Sequence, residues 1–223
     1  MAATDCRIAE LTDCHSEHPS IRQPDNPPTR QSMKCQTSHT VYEIEIADSQ
    51  NVETVDVTFL RDVVAETLAI ERLTAASVSV ALVNDKTIHE LNRQYLGHDY
   101  PTDVLSFLLE CETDPDAHAA ESAAAGPAQR LRGRGKRLEG EVIVSVETAA
   151  RSAREFDWST RDEVVLYLVH GLLHLCGYDD LSSEERQIMR ARERAILGLW
   201  GLKPPFETST RPQPASRKSG EDS

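Results

Sequence analysis

The stretch HGLLHLCGYDD, residues 170–180, predicts the end of a helix that presents two histidines on one face. His170 and His174 are four residues apart, so their Cβ atoms would lie about 5 to 6 Å from each other on that helix. Gly177 favours a turn directly after the helix, because glycine adopts the left-handed backbone conformation without a steric penalty. The chain is therefore expected to fold back toward the histidines where two acidic residues follow.

One Zn²⁺ ion is the cofactor that this spacing predicts. Two imidazole nitrogens and one carboxylate oxygen can each bind zinc at about 2.0 to 2.2 Å. We expect His170, His174 and Asp180 to be the metal ligands, with Asp179 as the alternative third ligand. Three protein ligands leave one coordination position open, which is typical of catalytic zinc, whereas structural zinc is usually enclosed by four.

A competing interpretation is that the two histidines are ordinary core residues. The HxxxH spacing also arises by chance on apolar helices, and the motif needs structural context before it indicates a metal. Buried imidazoles would then require carbonyl partners, because an unpaired polar group is costly in an apolar interior. Gly177 and the acidic pair after it favour the metal.

The sequence outside this stretch alternates between strand and helix patterns. Strands are predicted, from alternation or short β-branched runs, over residues 41–48, 77–83, 102–109 and 140–146. Helices are predicted, mainly from apolar residues spaced three and four apart, over residues 57–73, 86–95, 147–156, 160–176 and 183–199. The fold class is therefore α/β (α+β), a small mixed sheet of about four strands covered by helices, with the metal-binding helix at its centre.

Helix starts carry their own signals. Thr160 with Glu163, and Ser182 with Glu185, have the three-residue separation of a capping box. The first pair predicts where the histidine helix begins, and the second pair predicts a final helix that ends before Gly201.

One domain of ordinary size is expected between residues 41 and 206. Residues 1–40 and 207–223 are rich in polar residues and proline, and we expect a disordered leader and a disordered tail. Residues 111–137 lack sustained periodicity and predict a mobile insertion loop between two strands. No apolar run predicts a signal peptide or a membrane span.

Charge and cysteine content indicate which partners and which cellular location to expect. The formal net charge of -13 argues against loose, sequence-independent adhesion to nucleic acid, which depends on Lys and Arg. The dense basic run QRLRGRGKR, residues 129–137, is interpreted as either a solvated loop or a contact for a polyanion. Five cysteines without a CxxC pair predict a reducing, cytoplasmic location, and Cys176 is expected to be a buried apolar residue.

The spacing of the histidines and the acid is similar to the zinc peptidase pattern HExxHxxGxxH. In that pattern the residue after the first histidine is a glutamate that acts as general base. Here that residue is Gly171, which has no side chain to accept a proton. A zinc peptidase is therefore the less favoured alternative, since it would lose the roughly 10² to 10⁴-fold that a positioned base supplies.

Three segments together resemble the YbeY family of zinc-dependent endoribonucleases. HGLLHLCGYDD is similar to the family's HGxLHLxGYDH, and LNRQYLGHDYPTDVLSF at residues 91–107 is similar to LNxxYRxKDxPTDVLSF. GEVIVS at residues 140–145 resembles the strand GDIVIS. The resemblance implies one α/β domain and a single-strand-specific endoribonuclease that acts in cytoplasmic rRNA maturation at the 16S 3′ end and in ribosome quality control. Its implied partners are rRNA and the small ribosomal subunit, with no DNA or membrane partner expected.

Two positions depart from the family pattern. Asp180 stands where the family has a third histidine, and a carboxylate still suits zinc. Leu96 stands where the family has an arginine that faces phosphate, and Arg93 and His98 are the candidates to replace it, although a solvent-facing role also accounts for each. No side chain is assigned as the catalytic base, so a water activated by the metal would have to serve. A non-catalytic, zinc-containing ribosome assembly factor is the third hypothesis.

The cleft beside the metal is expected to hold the RNA. Thr102, Asp103 and Ser106 are candidates to line that cleft, although a strand cap and ordinary strand polarity account for them equally well.

Overall fold

The computed structural model describes residues 41–114, 131–156 and 158–204. The strands are β1 (Val41–Asp48), β2 (Ala75–Val83), β3 (Val104–Thr113) and β4 (Lys136–Ser145). The helices are α1 (Val57–Ile70), α2 (Asp85–Leu96), α3 (Val146–Phe156), α4 (Thr160–Cys176) and α5 (Ser183–Leu197), followed by a 3₁₀ turn at Gly198–Trp200. The predicted leader and tail and most of the predicted insertion lie outside the described residues.

The four strands form one mixed sheet in the order β1-β2-β4-β3. β1, β2 and β4 run parallel, and β3 lies antiparallel to β4 at the edge. Helix α1 supplies the crossover from β1 to β2 that a parallel pair requires. The predicted fold class is confirmed.

Helix α4 occupies the centre of the domain, as its sequence predicts. It packs on β3 and β4 and also contacts α1, α3 and α5. Every residue from Tyr167 to Cys176 is buried, a run of nearly three turns, so this part of the helix is enclosed on all sides. A Cβ at Gly140 would lie 2.9 Å from the Leu175 side chain, so the glycine lets α4 approach the sheet closely.

The predicted insertion loop is wrong at both of its ends. Thr113 pairs with Lys136 and Cys111 pairs with Leu138, so residues 111–113 and 136–137 belong to the β3–β4 hairpin. On β3, residues 110–113 are all exposed, and on β4 the hairpin end is Lys136–Arg137, so no apolar alternation marks either strand end in the sequence.

Other element boundaries also differ from the sequence prediction. Ser159, rather than Thr160, caps α4, because its hydroxyl accepts from the Asp162 backbone N–H at 3.1 Å. The cap of α5 is confirmed at Ser182, whose hydroxyl accepts from the Glu185 N–H at 3.1 Å. The first helix ends at Ile70 instead of residue 73, and the last helix gives way to 3₁₀ geometry at Gly198.

Across the described residues, no helix is both long enough and apolar enough to cross a membrane. Cys176 is a fully buried free thiol whose pKa is raised by burial, which confirms its predicted apolar environment.

Asp85 ties the start of α2 to the end of β4 and to α3. The hydroxyls of Ser145 and Thr148 each donate to Asp85 Oδ1 at 2.6 Å, and Arg151 Nη1 donates to Oδ2 at 2.7 Å. Burial alone would raise the pKa of Asp85, but these hydrogen bonds outweigh burial and hold the pKa below its ordinary value.

Acid is expected to weaken the Asp85 contacts. A folded-state pKa below the unfolded-state value stabilises the fold above the unfolded-state pKa, and this contribution is lost as pH falls through the folded-state pKa. Asp85→Asn should therefore unfold more easily than wild type at pH 7, and the difference should begin to shrink below about pH 4, near the unfolded-state pKa. Urea unfolding of both proteins from pH 7 to pH 3 measures the difference. A difference that does not change with pH would contradict the assignment.

Candidate metal centre

His170, His174 and Asp180 come together at the end of α4. One ligand-type atom from each residue lies within 4.8 Å of the other two. Gly177 allows this arrangement, because it caps the helix with a φ of 99° and turns the chain back. All three side chains are buried, with exposed fractions of 7%, 1% and 8% respectively.

The hydrogen bonds of the two rings direct one nitrogen of each toward the other. His174 Nδ1 lies 3.0 Å from the Tyr178 carbonyl oxygen, which only accepts, so Nδ1 carries the proton. His170 Nδ1 lies 2.6 Å from Glu193 Oε1 and donates to that carboxylate. The two Nε2 atoms then face each other at 3.0 Å, so both are directed toward one point. With the Asp180 carboxylate beside them, these two nitrogens could bind one metal ion.

The charge state of the cluster also suits a cation. Burial, followed by the neighbouring His170, lowers the pKa of His174 to about 3, so His174 is neutral at physiological pH. Burial raises the pKa of Asp180, although His170 and Arg186 oppose that rise. A metal binds neutral imidazole and ionised carboxylate, and a cation would offset the cost of burying the Asp180 charge.

Asp179 has a different role from Asp180. The Oδ1 atom of Asp179 accepts the backbone N–H groups of Asp180 at 2.7 Å and of Leu181 at 3.2 Å. Arg186 Nη2 donates to the Asp180 carbonyl at 2.9 Å and fixes the same turn. These contacts hold the backbone while the Asp180 side chain lies beside the histidines. Of the two candidates, the geometry favours Asp180 as the third ligand.

Glu193 is a residue of this site that the sequence analysis missed. It lies on α5, is 4% exposed and contacts His170 Nδ1. A carboxylate on the second ring nitrogen fixes the tautomer and orientation of a metal-binding histidine. The available signal was one acidic residue on the buried face of an amphipathic helix, beside Met189 and Ile196.

Gly171 is a second point at which α4 approaches the sheet closely. A Cβ at this position would lie 2.7 Å from Val142 Cγ1 and 2.9 Å from Ser106 Oγ. The Ser106 hydroxyl donates to the Gly171 carbonyl at 3.1 Å. Close packing therefore requires glycine next to His170, and the position cannot hold the glutamate of a zinc peptidase.

The other candidate cleft residues serve local structure. Thr102 is buried and donates to Asp103 Oδ1 at 2.9 Å, and the same oxygen accepts the Val104 N–H at 2.9 Å. Ser106 is fully buried between β3 and α4. A strand cap and helix packing account for these polar side chains.

The position where the family has an arginine holds an apolar residue in apolar surroundings. Leu96 packs against a cluster on the α2 side of the sheet, made of Val83, Ile88, Leu105, Phe107 and Ile143. Arg93 is exposed and lies 3.9 Å from Asp99, while His98 stacks on Tyr100 with ring centroids 5.4 Å apart. Neither residue is among the three side chains that converge at the end of α4.

The basic run is partly engaged with the end of α4. Arg132 Nη1 donates to the Gly177 carbonyl at 3.0 Å, and Lys136 Nζ donates to the Cys176 carbonyl at 2.9 Å. Arg132 also pairs with Glu185. Cations at a helix C-terminus stabilise its exposed carbonyls. Arg132 and Lys136 are therefore bound to the end of α4 and are not simply solvated. Arg130 lies outside the described residues.

Comparison with known proteins identifies the family. The family model described as Endoribonuclease YbeY matches residues 43–201. The chain belongs to the YbeY family. An Endoribonuclease YbeY from Rhodopirellula baltica is 37% identical over 156 residues, which cover 69% of this chain and 69% of the relative. Another from Moorella thermoacetica is 47% identical over 128 residues, which cover 57% of this chain and 75% of the relative.

A solved structure is also similar to this YbeY chain. The solution structure of TM1509 from Thermotoga maritima is 27% identical, with a TM-score of 0.44, over 77% of this chain and 99% of that one. The resemblance to YbeY that the motifs predict is confirmed by the family match, which contains the metal-centre residues and Leu96.

Proposed function

We propose that this chain is a metal-dependent endoribonuclease that cleaves single-stranded RNA, with one Zn²⁺ held by His170, His174 and Asp180. The observation that carries the proposal is the convergence of two imidazole nitrogens and a carboxylate at the buried end of α4. Membership of a family whose members are named endoribonucleases supplies the reaction class.

Three residues of the site would bind the metal, and the hydrogen bonds of two others orient the histidine rings. A bound zinc ion would act as a Lewis acid on a phosphodiester oxygen. It would also lower the pKa of a bound water to about 7, so that hydroxide is available near neutral pH. Glu193 and the Tyr178 carbonyl hold the two rings with their Nε2 atoms together, so the rings need little rearrangement on binding. Asp180 adds a negative charge, and we expect a weaker Lewis acid here than with three histidines.

The biological setting is proposed from the family alone. The substrate would be rRNA, at the 3′ end of the 16S molecule, with the small ribosomal subunit as partner and ribosome quality control as the wider role. A cytoplasmic location follows from that setting and agrees with the free thiols of Cys111 and Cys176.

Leu96 favours a second candidate function, a zinc-containing assembly factor without catalysis. The residue occupies the place of the expected phosphate-facing arginine and packs into an apolar cluster, so its side chain offers no charge to RNA. A zinc peptidase is less favoured, because Gly171 supplies no base and its surroundings admit none.

Single-turnover cleavage tests the proposed function. Purified protein is stripped with a chelator, reconstituted with one equivalent of Zn²⁺, and incubated with a single-stranded RNA and with the same RNA annealed to its complement. We expect cleavage of the single strand that depends on the metal, and no digestion of casein. Zinc binding without cleavage would favour the assembly factor, and casein digestion would favour the peptidase.

The identity of the third ligand is a separate prediction. Asp180→Ala should lose stoichiometric zinc, whereas Asp179→Ala should retain it and lose only the backbone contacts of the turn. Metal analysis after dialysis against a weak chelator compares the two variants. Full zinc in Asp180→Ala, together with loss in Asp179→Ala, would show that the neighbouring acid is the ligand.

A further inference from the structure

We propose that Glu71, a residue outside the metal centre, positions His174 for metal binding through Tyr178. The metal itself rests on the proposed function, but the positioning concerns only residues of this chain. Glu71 lies at the C-cap of α1 and is 107 residues before Tyr178 in the sequence.

Glu71 is a fully buried carboxylate with donors on both oxygens. Arg192 donates to Oε1 from Nε at 2.9 Å and from Nη2 at 2.6 Å. The Tyr178 hydroxyl donates to Oε2 at 3.0 Å, and the Gly133 N–H approaches the same oxygen at 3.4 Å. A buried charge is tolerated only when it is paired and hydrogen-bonded in this way, so its partners are held in one arrangement.

Tyr178 connects this network to the metal centre. Its hydroxyl reaches Glu71, while its backbone carbonyl accepts the hydrogen bond from His174 Nδ1 at 3.0 Å. The side chain is fully buried, so anchoring the hydroxyl also limits where the carbonyl can lie. That carbonyl sets the tautomer and the orientation of the His174 ring, which is the ligand geometry that zinc requires.

The same network also supports the other histidine. Arg192 precedes Glu193 on α5, and Glu193 holds His170 Nδ1. Pairing of Arg192 with Glu71 therefore fixes the segment of α5 from which Glu193 projects. Two adjacent residues of one helix thus take part in orienting both rings, one directly and one through Glu71 and Tyr178.

Two substitutions test the inference. Glu71→Gln keeps the side-chain shape but replaces one oxygen with a donor, and Tyr178→Phe removes only the hydroxyl. Each should weaken zinc binding about tenfold, at the low end of the effect of removing a partner that orients a ligand. Because Tyr178→Phe removes a hydrogen bond that Glu71→Gln also disturbs, the double variant should weaken zinc binding no more than the stronger single variant does. A competitive chelator titration of fully folded protein gives these affinities.

A readout without metal separates this inference from the proposed function. Nitrogen NMR of the His174 ring in the metal-free protein should show the Nδ1-protonated tautomer in wild type and a mixture of tautomers in both variants. If wild type binds no zinc, the proposed function fails, yet the tautomer measurement still supports or refutes the role of Glu71.

Asp85→Asn is the matched control. Asp85 also sits in a network of two hydroxyls and an arginine, but that network joins α2, β4 and α3 and has no contact with Tyr178. It should lower stability while leaving zinc affinity and the His174 tautomer unchanged. Unchanged affinity and tautomer in Tyr178→Phe would overturn the inference even if Glu71→Gln failed to fold. An equal loss of affinity in Asp85→Asn would also overturn it, since a general loss of stability would then explain the effect.

Discussion

Replacing His174 with alanine is expected to abolish stoichiometric zinc binding and to reduce single-turnover RNA cleavage by more than about 100-fold. Removing a residue that only orients a ligand already costs about 10 to 100-fold, and His174 is proposed as a ligand itself. The remaining pair, His170 and Asp180, would hold the metal with two protein atoms instead of three. Cleavage should fall in parallel with metal content, because the proposed chemistry depends on the ion.

His89→Ala is the control for this variant. It removes an imidazole that pairs with Asp99 at 2.9 Å and that is no member of the metal cluster. Cleavage rates are compared at equal folded fraction by circular dichroism, with metal content measured on the same samples. Undiminished cleavage by metal-free His174→Ala would refute the proposed mechanism, because the reaction would then proceed without the ion.

Substitution of Gly171 should have the largest effect on stability. Gly171→Ala places a methyl group within 2.7 Å of Val142 and 2.9 Å of Ser106. Overpacking of this kind costs about 1–3 kcal/mol of unfolding free energy. Gly171→Glu, which restores the peptidase motif, should not yield folded protein, because it adds a charge at a position with no space.

Gly198→Ala provides the comparison for Gly171→Ala. A Cβ at Gly198 meets nothing within 4 Å, and its φ of -59° suits any residue. This variant should be as stable as wild type in urea unfolding, or slightly more stable because alanine restricts the unfolded chain. Equal stability of Gly171→Ala and Gly198→Ala would show that β3, β4 and α4 adjust to the added methyl group.

The sequence was sufficient to predict the fold class and the cluster at the end of α4. The capping-box spacing of Thr160 and Glu163, followed by an apolar run, identified α4, and the three side chains meet because they are close in sequence. The hairpin ends were mispredicted for a physical reason. At residues 111–113, both faces of the edge strand are exposed to water, so the apolar alternation that marks a half-buried strand is absent.

The residues that orient the two histidines could not be predicted from the sequence in the same way. Glu193 and Glu71 come from separate helices, and only folding brings each of them to its partner. A single buried acid on an otherwise amphipathic helix is indistinguishable in sequence from a residue at the edge of the polar face. Leu96 was visible as a departure from the family, but its apolar packing was evident only in three dimensions.

The contacts of Arg132 and Lys136 with the end of α4 bear on how RNA is held. A lysine or arginine strengthens RNA binding by displacing counterions from a phosphate, and that gain is lost as salt concentration rises. Two cations already committed to backbone carbonyls contribute little of this gain. RNA affinity should therefore depend less steeply on salt than the number of positive charges in residues 129–137 would suggest.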